Sequence, residues 1–161
     1  MFVHLHVHSA LSPNWGVHSP EVLCAKAARM GFGAIALTDR NGLYAVPRFL
    51  NAARETGIAP IIGTEAVTPQ NRAVLLASDE EGYANISRLL SDLHCKKQFD
   101  LIRALEQYRR GVIVLSDDGK LLSALKKDSQ EALFVELSPG HALHRSLALS
   151  RDLQLQPVAT S

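Results

Sequence analysis

The chain has 161 residues, 47% of them apolar, with a formal net charge of +1. That length bounds one domain with a sizeable core, and the apolar content excludes a disordered chain. The near-zero charge gives no electrostatic case for tight nucleic-acid binding by this chain alone.

Residues 2–7 alternate in polarity and predict a first strand. Ser19 and Pro20 predict the N-cap and first turn of a helix that Gly31 stops. Residues 34–37, AIAL, predict a buried strand ending in Thr38 and Asp39. A helix over residues 44–56 is ended by Gly57, and strands follow at 58–63 and 73–77. Ser78 with Glu81 predicts a capping box for the helix running to residue 93. Next come a helix at 99–109, a strand at 112–115, a helix at 120–126, a strand at 134–137, a helix at 139–153 and a strand at 156–160. This alternation predicts an α/β fold of βαβ units with parallel pairing and right-handed crossovers. A βα chain that halts on a strand end looks interrupted, so a longer natural chain is expected.

The opening HLHVHS sets His4, His6 and His8 on alternate positions. In a regular strand they share one face, and Val3, Leu5 and Val7 share the other. Histidine is a common ligand for zinc and other transition metals, so His6 and His8, near the strand's C-terminal end, are candidate ligands. An isolated HxH is more often a pair of surface or hydrogen-bonded histidines. His18, His94, His141 and His144 have no ligand partner and are read as surface or capping groups. Asp117-Asp118-Gly119 reads as a turn, because the other positions of a calcium loop are absent. The basic pairs at 96–97, 109–110 and 126–127 read as solvated helix faces. Cys24 and Cys95 lack CxxC spacing, so neither a zinc knuckle nor a disulfide is expected, and reduced cysteines in a cytoplasmic protein are. No charged-then-apolar leader opens the sequence and no apolar run approaches about 18 residues, so neither export nor membrane contact is expected.

HLHVHSALS, then ALTDRNGLY, PIIGTEAV, LLASDEEGYANISRLLS, FVELSPG and the closing PVATS occur in this order. Together they resemble the PHP (polymerase and histidinol phosphatase) domain of bacterial DNA polymerase III alpha subunits. TDRN and the run through IIGTE are most similar to the error-prone branch. The resemblance implies a distorted (β/α)7 barrel, incomplete at its C-terminus here, with residues 1–161 forming one domain of a longer polymerase chain. In metal-bearing members it implies up to three ions at the strand ends and phosphoester hydrolysis. In others it implies a scaffold without ligands. His6 and His8 match the first ligand pair, and Glu65 matches a bridging carboxylate. Three positions depart. Trp15, beside Asn14, stands where an acidic residue is expected, and Arg40 and Arg72 stand where histidines are. A guanidinium stays protonated and cannot ligate a cation. Arg40 and Arg72 are therefore expected to replace ions electrostatically, against Glu65 and Asp39.

The leading expectation is a degenerate scaffold domain, inactive by itself, in a DNA-directed DNA polymerase of replication or repair whose catalytic aspartates lie elsewhere. Its expected partners are the rest of the polymerase chain, DNA through that chain, and a proofreading or other replication subunit. No cofactor is expected, with one weakly held zinc or manganese as the alternative. The competing expectations are a metal-dependent phosphoesterase or 3′–5′ nuclease acting through His6, His8 and Glu65, and a stand-alone binding module.

Overall fold

The Ser19-Pro20 start yields helix α1 (Pro20–Arg29), and Gly31 follows it in the left-handed region at φ 76°. The structure is a computed structural model and describes residues 2–139 and 143–160. Strand β1 (Ala34–Leu37) follows, then α2 (Val46–Thr56), which Gly57 closes with φ 71°, a conformation that glycine adopts without strain. Strands β2 (Ala59–Val67) and β3 (Arg72–Ala77) lead into α3 (Glu80–Cys95) and α4 (Leu101–Gln107). Then come β4 (Val112–Ser116), α5 (Gly119–Lys126), β5 (Leu133–Leu137), α6 (Leu143–Leu153) and β6 (Pro157–Ala159).

The six strands form one curled sheet in the order β1-β2-β3-β4-β5-β6, a half-barrel of mixed α/β type. Pairing is parallel except around β3, which runs antiparallel to both β2 and β4. All-parallel pairing is therefore corrected. Only a tight turn joins β2 to β3, closed by Thr68 N–H donating to Asn71 O at 2.9 Å. So short a connection makes a hairpin, because a parallel crossover needs a dozen residues or more.

The convex face of the sheet is covered by helices. Leu75, Ile86, Leu89, Leu105, Leu121 and Leu122 form the larger cluster there, and Cys24, Ala27, Phe49 and Ala53 pack under α1 and α2. The concave face holds a smaller cluster of Ala36, Val74, Leu76 and Leu115, with Leu5, Ile61 and Phe134 against it. Successive strand residues point to opposite faces, so each strand carries its concave-face set up to the rim. That set includes Ile61 and Glu65 on β2, Val74 and Arg72 on β3, and Phe134 and Glu136 on β5.

The N-terminal segment runs beside β1 but is no regular strand; His4 makes a single bridge to Ile35. Ala36 N–H donates to His4 O, and Thr38 N–H donates to Val7 O, both at 2.8 Å. Three residues therefore span one side where two span the other, a bulge with one extra residue. It places Leu5 against the concave cluster and Val7 against the α1–α2 cluster, so the shared apolar face expected for Leu5 and Val7 is corrected. The helix after β3 is capped by Asp79, whose carboxylate accepts from Gly82 N–H at 2.7 Å, and not by Ser78. Ser78 instead donates to Gly111 O. Both cysteines are free, Cys24 buried and Cys95 exposed. No helix among the described residues is long and apolar enough to cross a membrane.

Candidate metal centre

The His6 ring, within the bulged stretch, and the His8 ring, just past it, lie 4.9 Å apart, centroid to centroid, at the rim of the half-barrel. Glu65 meets them from β2, where it is only 4% exposed. One ligand atom from each of the three lies within 4.8 Å of the others. His8 Nε2 is 3.2 Å from Glu65 Oε2, and His6 Nε2 is 3.7 Å from Glu65 Oε1. Yet His6 Nε2, His8 Nε2 and Glu65 Oε2 are buried without a hydrogen-bond partner. Orphaned buried polar atoms are costly and rare. Three of them converging on one point fit a cation.

Glu136 prepares His6 for that task. His6 Nδ1 lies 2.7 Å from Glu136 Oε1. Glu136 is fully buried and kept ionised, so Nδ1 carries the donated proton and, in the neutral ring, Nε2 presents its lone pair. Arg72 donates to Glu136 Oε2 at 2.7 Å, and the Thr160 hydroxyl donates to Oε1 at 2.9 Å. Burial alone would raise the Glu136 pKa; the bond from His6 and the charge of Arg72 outweigh it and hold the carboxyl low.

Arg72 is the cation of this cluster. Besides Glu136 it donates to Glu65 Oε1 at 3.2 Å and to Asp117 Oδ1 at 2.9 Å. Burial would lower the Arg72 pKa, but Glu136 and Asp117 more than offset that and raise it. Burial likewise pushes the Glu65 pKa up, while the His8 contact, His6 and Arg72 bring it down to about 2. One guanidinium against three carboxylates leaves two negative charges when both imidazoles are neutral. That excess equals the charge of one divalent cation.

The other side of Glu65 is built differently. Asp39 is 2% exposed, and its acceptors are taken by Ser9 N–H, Ser9 Oγ and Ser12 Oγ at 2.7, 2.8 and 2.7 Å. Arg40 makes no ion pair with Asp39 or Glu65. Its guanidinium carbon lies 4.7 Å from the centroid of the Trp15 ring, and Trp15 meets the edge of His8 at 6.1 Å. The loop carrying Trp15 is closed on itself: Ser12 O accepts from both Trp15 N–H and Gly16 N–H. A Cβ at Gly16 would stand 1.9 Å from Ser9 O, so only glycine lets the loop approach. The structure thus brings His6, His8, Glu65 and Arg72 together, and it holds Asp39 and Arg40 apart from them.

Glu136, Asp117 and Thr160 belong to the centre and were not singled out from sequence as site residues. The signal was present in LFVEL, where Glu136 interrupts an apolar run on the same strand face as Phe134. Of the remaining histidines, His94 Nε2 contacts Asn41 O at 2.7 Å, His18 Nε2 meets Lys26 Nζ at 2.6 Å, and His141 lies outside the described residues.

A curled α/β half-barrel whose rim brings two imidazoles and a buried carboxylate to one point offers a group of ligand atoms that could hold a metal ion. The family model described as PHP domain matches residues 4–136, and the chain belongs to that family. It is similar to the DNA polymerase III subunit alpha of Buchnera aphidicola subsp. Acyrthosiphon pisum, at 43% identity over 59% of this chain and 9% of the relative. It is also similar to the error-prone DNA polymerase of Pseudomonas aeruginosa, at 35% identity over 98% of this chain and 17% of the relative. The chain thus spans between 9% and 17% of the length of these relatives. A Bacteroides vulgatus structure described as a two-domain protein containing a "predicted PHP-like metal-dependent phosphoesterase" superposes with TM-score 0.70 at 18% identity, covering 99% of this chain and 50% of that one. A Bifidobacterium adolescentis structure described as a "putative metal-dependent phosphoesterase" does so with TM-score 0.65 at 15% identity, covering 99% and 86%. At such identities the likeness speaks for the fold.

Proposed function

We propose that this chain is the PHP domain of a DNA polymerase III alpha-type, error-prone-like polymerase, with a degenerate metal centre and a scaffold role. Its partners in this reading are the rest of the polymerase chain and, through that chain, DNA and a proofreading or other replication subunit. The observation that carries the reading is Arg72, whose guanidinium bonds Glu65, Asp117 and Glu136 together. Phosphoester hydrolysis by paired ions wants two cations about 3.5–4 Å apart, one for the attacking and one for the leaving oxygen. A permanent positive charge amid the carboxylates repels a second ion and occupies the acceptors it needs.

The orphaned trio favours a single weakly held zinc or manganese as the remnant, with His6 Nε2, His8 Nε2 and Glu65 Oε2 as its ligands. When bound, such an ion supplies Lewis acidity toward a phosphoryl oxygen or a water. Glu136 fixes the His6 tautomer, and Arg72 holds Glu65 and Glu136 ionised while spending its own donors. Those same orphaned atoms support the competing reading, a metal-dependent phosphoesterase or 3′–5′ nuclease.

Hydrolysis of bis-p-nitrophenyl phosphate and of single-stranded DNA in zinc or manganese separates the two. The scaffold reading expects no turnover above that of His8→Ala. Turnover that disappears in His8→Ala would establish the competing one.

A further inference from the structure

Arg40 is a partly buried residue, yet no described residue supplies its guanidinium with a carboxylate or any other hydrogen-bond acceptor. Its nearest acid in sequence, Asp39, is saturated by Ser9 and Ser12. Arg72, comparably placed on the other side of Glu65, has three carboxylates. A partly desolvated cation with five unused donors is matched to an oxyanion, and a phosphate fits the planar fork bidentately. What holds the fork in place is Trp15, stacked 4.7 Å away on a loop pinned by Ser12 and Gly16. Trp15 is itself 58% exposed, an unusual cost for so large an apolar ring unless something stacks on it.

We propose that Arg40 and Trp15 form a nucleotide-phosphate site at the rim of the half-barrel, Arg40 taking the phosphate and the exposed indole the base. Stacking on an aromatic ring tolerates any base, so this chemistry recognises a free nucleotide or the phosphorylated end of a single strand alike. The site goes beyond the scaffold reading and needs no metal. The Arg40–Glu65 bridge puts it one strand position from the candidate metal centre, with the His8 ring touching Trp15.

Trp15 is the chain's single tryptophan, so tryptophan emission, excited selectively over the three tyrosines, reports on this site alone. The test titrates dTMP, thymidine, inorganic phosphate and a 5′-phosphorylated oligothymidylate against the full chain in metal-free buffer. dTMP should change the Trp15 emission saturably, at least about tenfold more tightly than thymidine or inorganic phosphate. Arg40→Gln should lose that preference over thymidine while keeping its far-UV circular dichroism, and Arg40→Lys should keep part of it. The oligothymidylate arm tells the source: tighter than dTMP indicates a strand end, equal indicates a free nucleotide, and both support the site. Thymidine or inorganic phosphate binding as tightly as dTMP would overturn the proposal. So would an unchanged dTMP response in folded Arg40→Gln, or no saturable response in the native chain.

Discussion

Two arginines flank Glu65, and they live in opposite worlds. Arg72, on the β3 side, is held by three carboxylates and a histidine-bearing network. Arg40, on the β1 side, rests on an exposed indole with no acid beside it. The same residue type at two places in one rim therefore sits in two different electrostatic settings. On the β3 side a cation is required, because Glu136 is fully buried and Glu65 nearly so. On the β1 side the acid has already been satisfied by hydroxyls, so no ion is called for. The lesson is that an arginine replacing a ligand neutralises a site only where the local carboxylates lack other donors.

The comparison breaks most visibly at Arg72. Arg72→Met leaves buried carboxylates unpaired and should cost about 3–5 kcal/mol in urea unfolding. Added zinc should recover part of that loss, and recover more than it adds to the native chain. A mutant as stable as the native chain would mean that the carboxylates do not depend on Arg72. Glu136→Gln comes next. With the His6 tautomer no longer fixed, zinc affinity by calorimetry should weaken about 10- to 100-fold. Unchanged affinity would remove Glu136 from the centre.

Acid should sharpen the same contrast. Glu65 is held at about 2, below its usual value of 4.5. A carboxyl depressed in the folded state binds fewer protons there than when unfolded. Its stabilisation is present in full above the unfolded value and is lost as pH falls from about 4.5 toward about 2. Glu65→Gln should flatten that part of the unfolding curve, whereas Arg40→Gln should leave it untouched. The smallest effect is expected on stability at Arg40 itself. Arg40→Met loses one cation–π contact with the exposed Trp15 ring, about 0.5–1 kcal/mol in the same urea experiment.

Much of the fold was legible in the sequence because its punctuation is local. Ser19-Pro20 and Gly57 mark helix ends by conformational preference alone, and both lie where they were expected. The PHP family, and with it an incomplete α/β barrel, followed from ordered motifs and not from any one of them. Three features were hidden because they depend on neighbours. The bulge between His4 and Val7 arises where Thr38 Oγ1 accepts from Val7 N–H and breaks the ladder. The β2–β3 hairpin was concealed by the assumption that alternating elements pair in parallel. Asp79 won the cap over Ser78 because Gly111 O offers the serine hydroxyl a better partner.

The metal centre was half legible. His6, His8 and Glu65 converge as the motifs suggested: period-two geometry carries Glu65 to the rim on β2, and the bulged N-terminal segment brings the two histidines to it. Which carboxylates surround Arg72 could not be read, since Asp117, just past β4, and Glu136, on β5, lie far along the chain. Arg40 and Arg72 look equivalent in sequence; only the Ser9 and Ser12 hydroxyls on Asp39 separate them.

The central claim is that Arg72 stands in for ions, leaving room for at most one. Elemental analysis of the chain after equilibration with zinc and desalting tests it most directly. At most one zinc per chain is expected, falling to none in His8→Ala. Two or more per chain with Arg72 intact would contradict the claim.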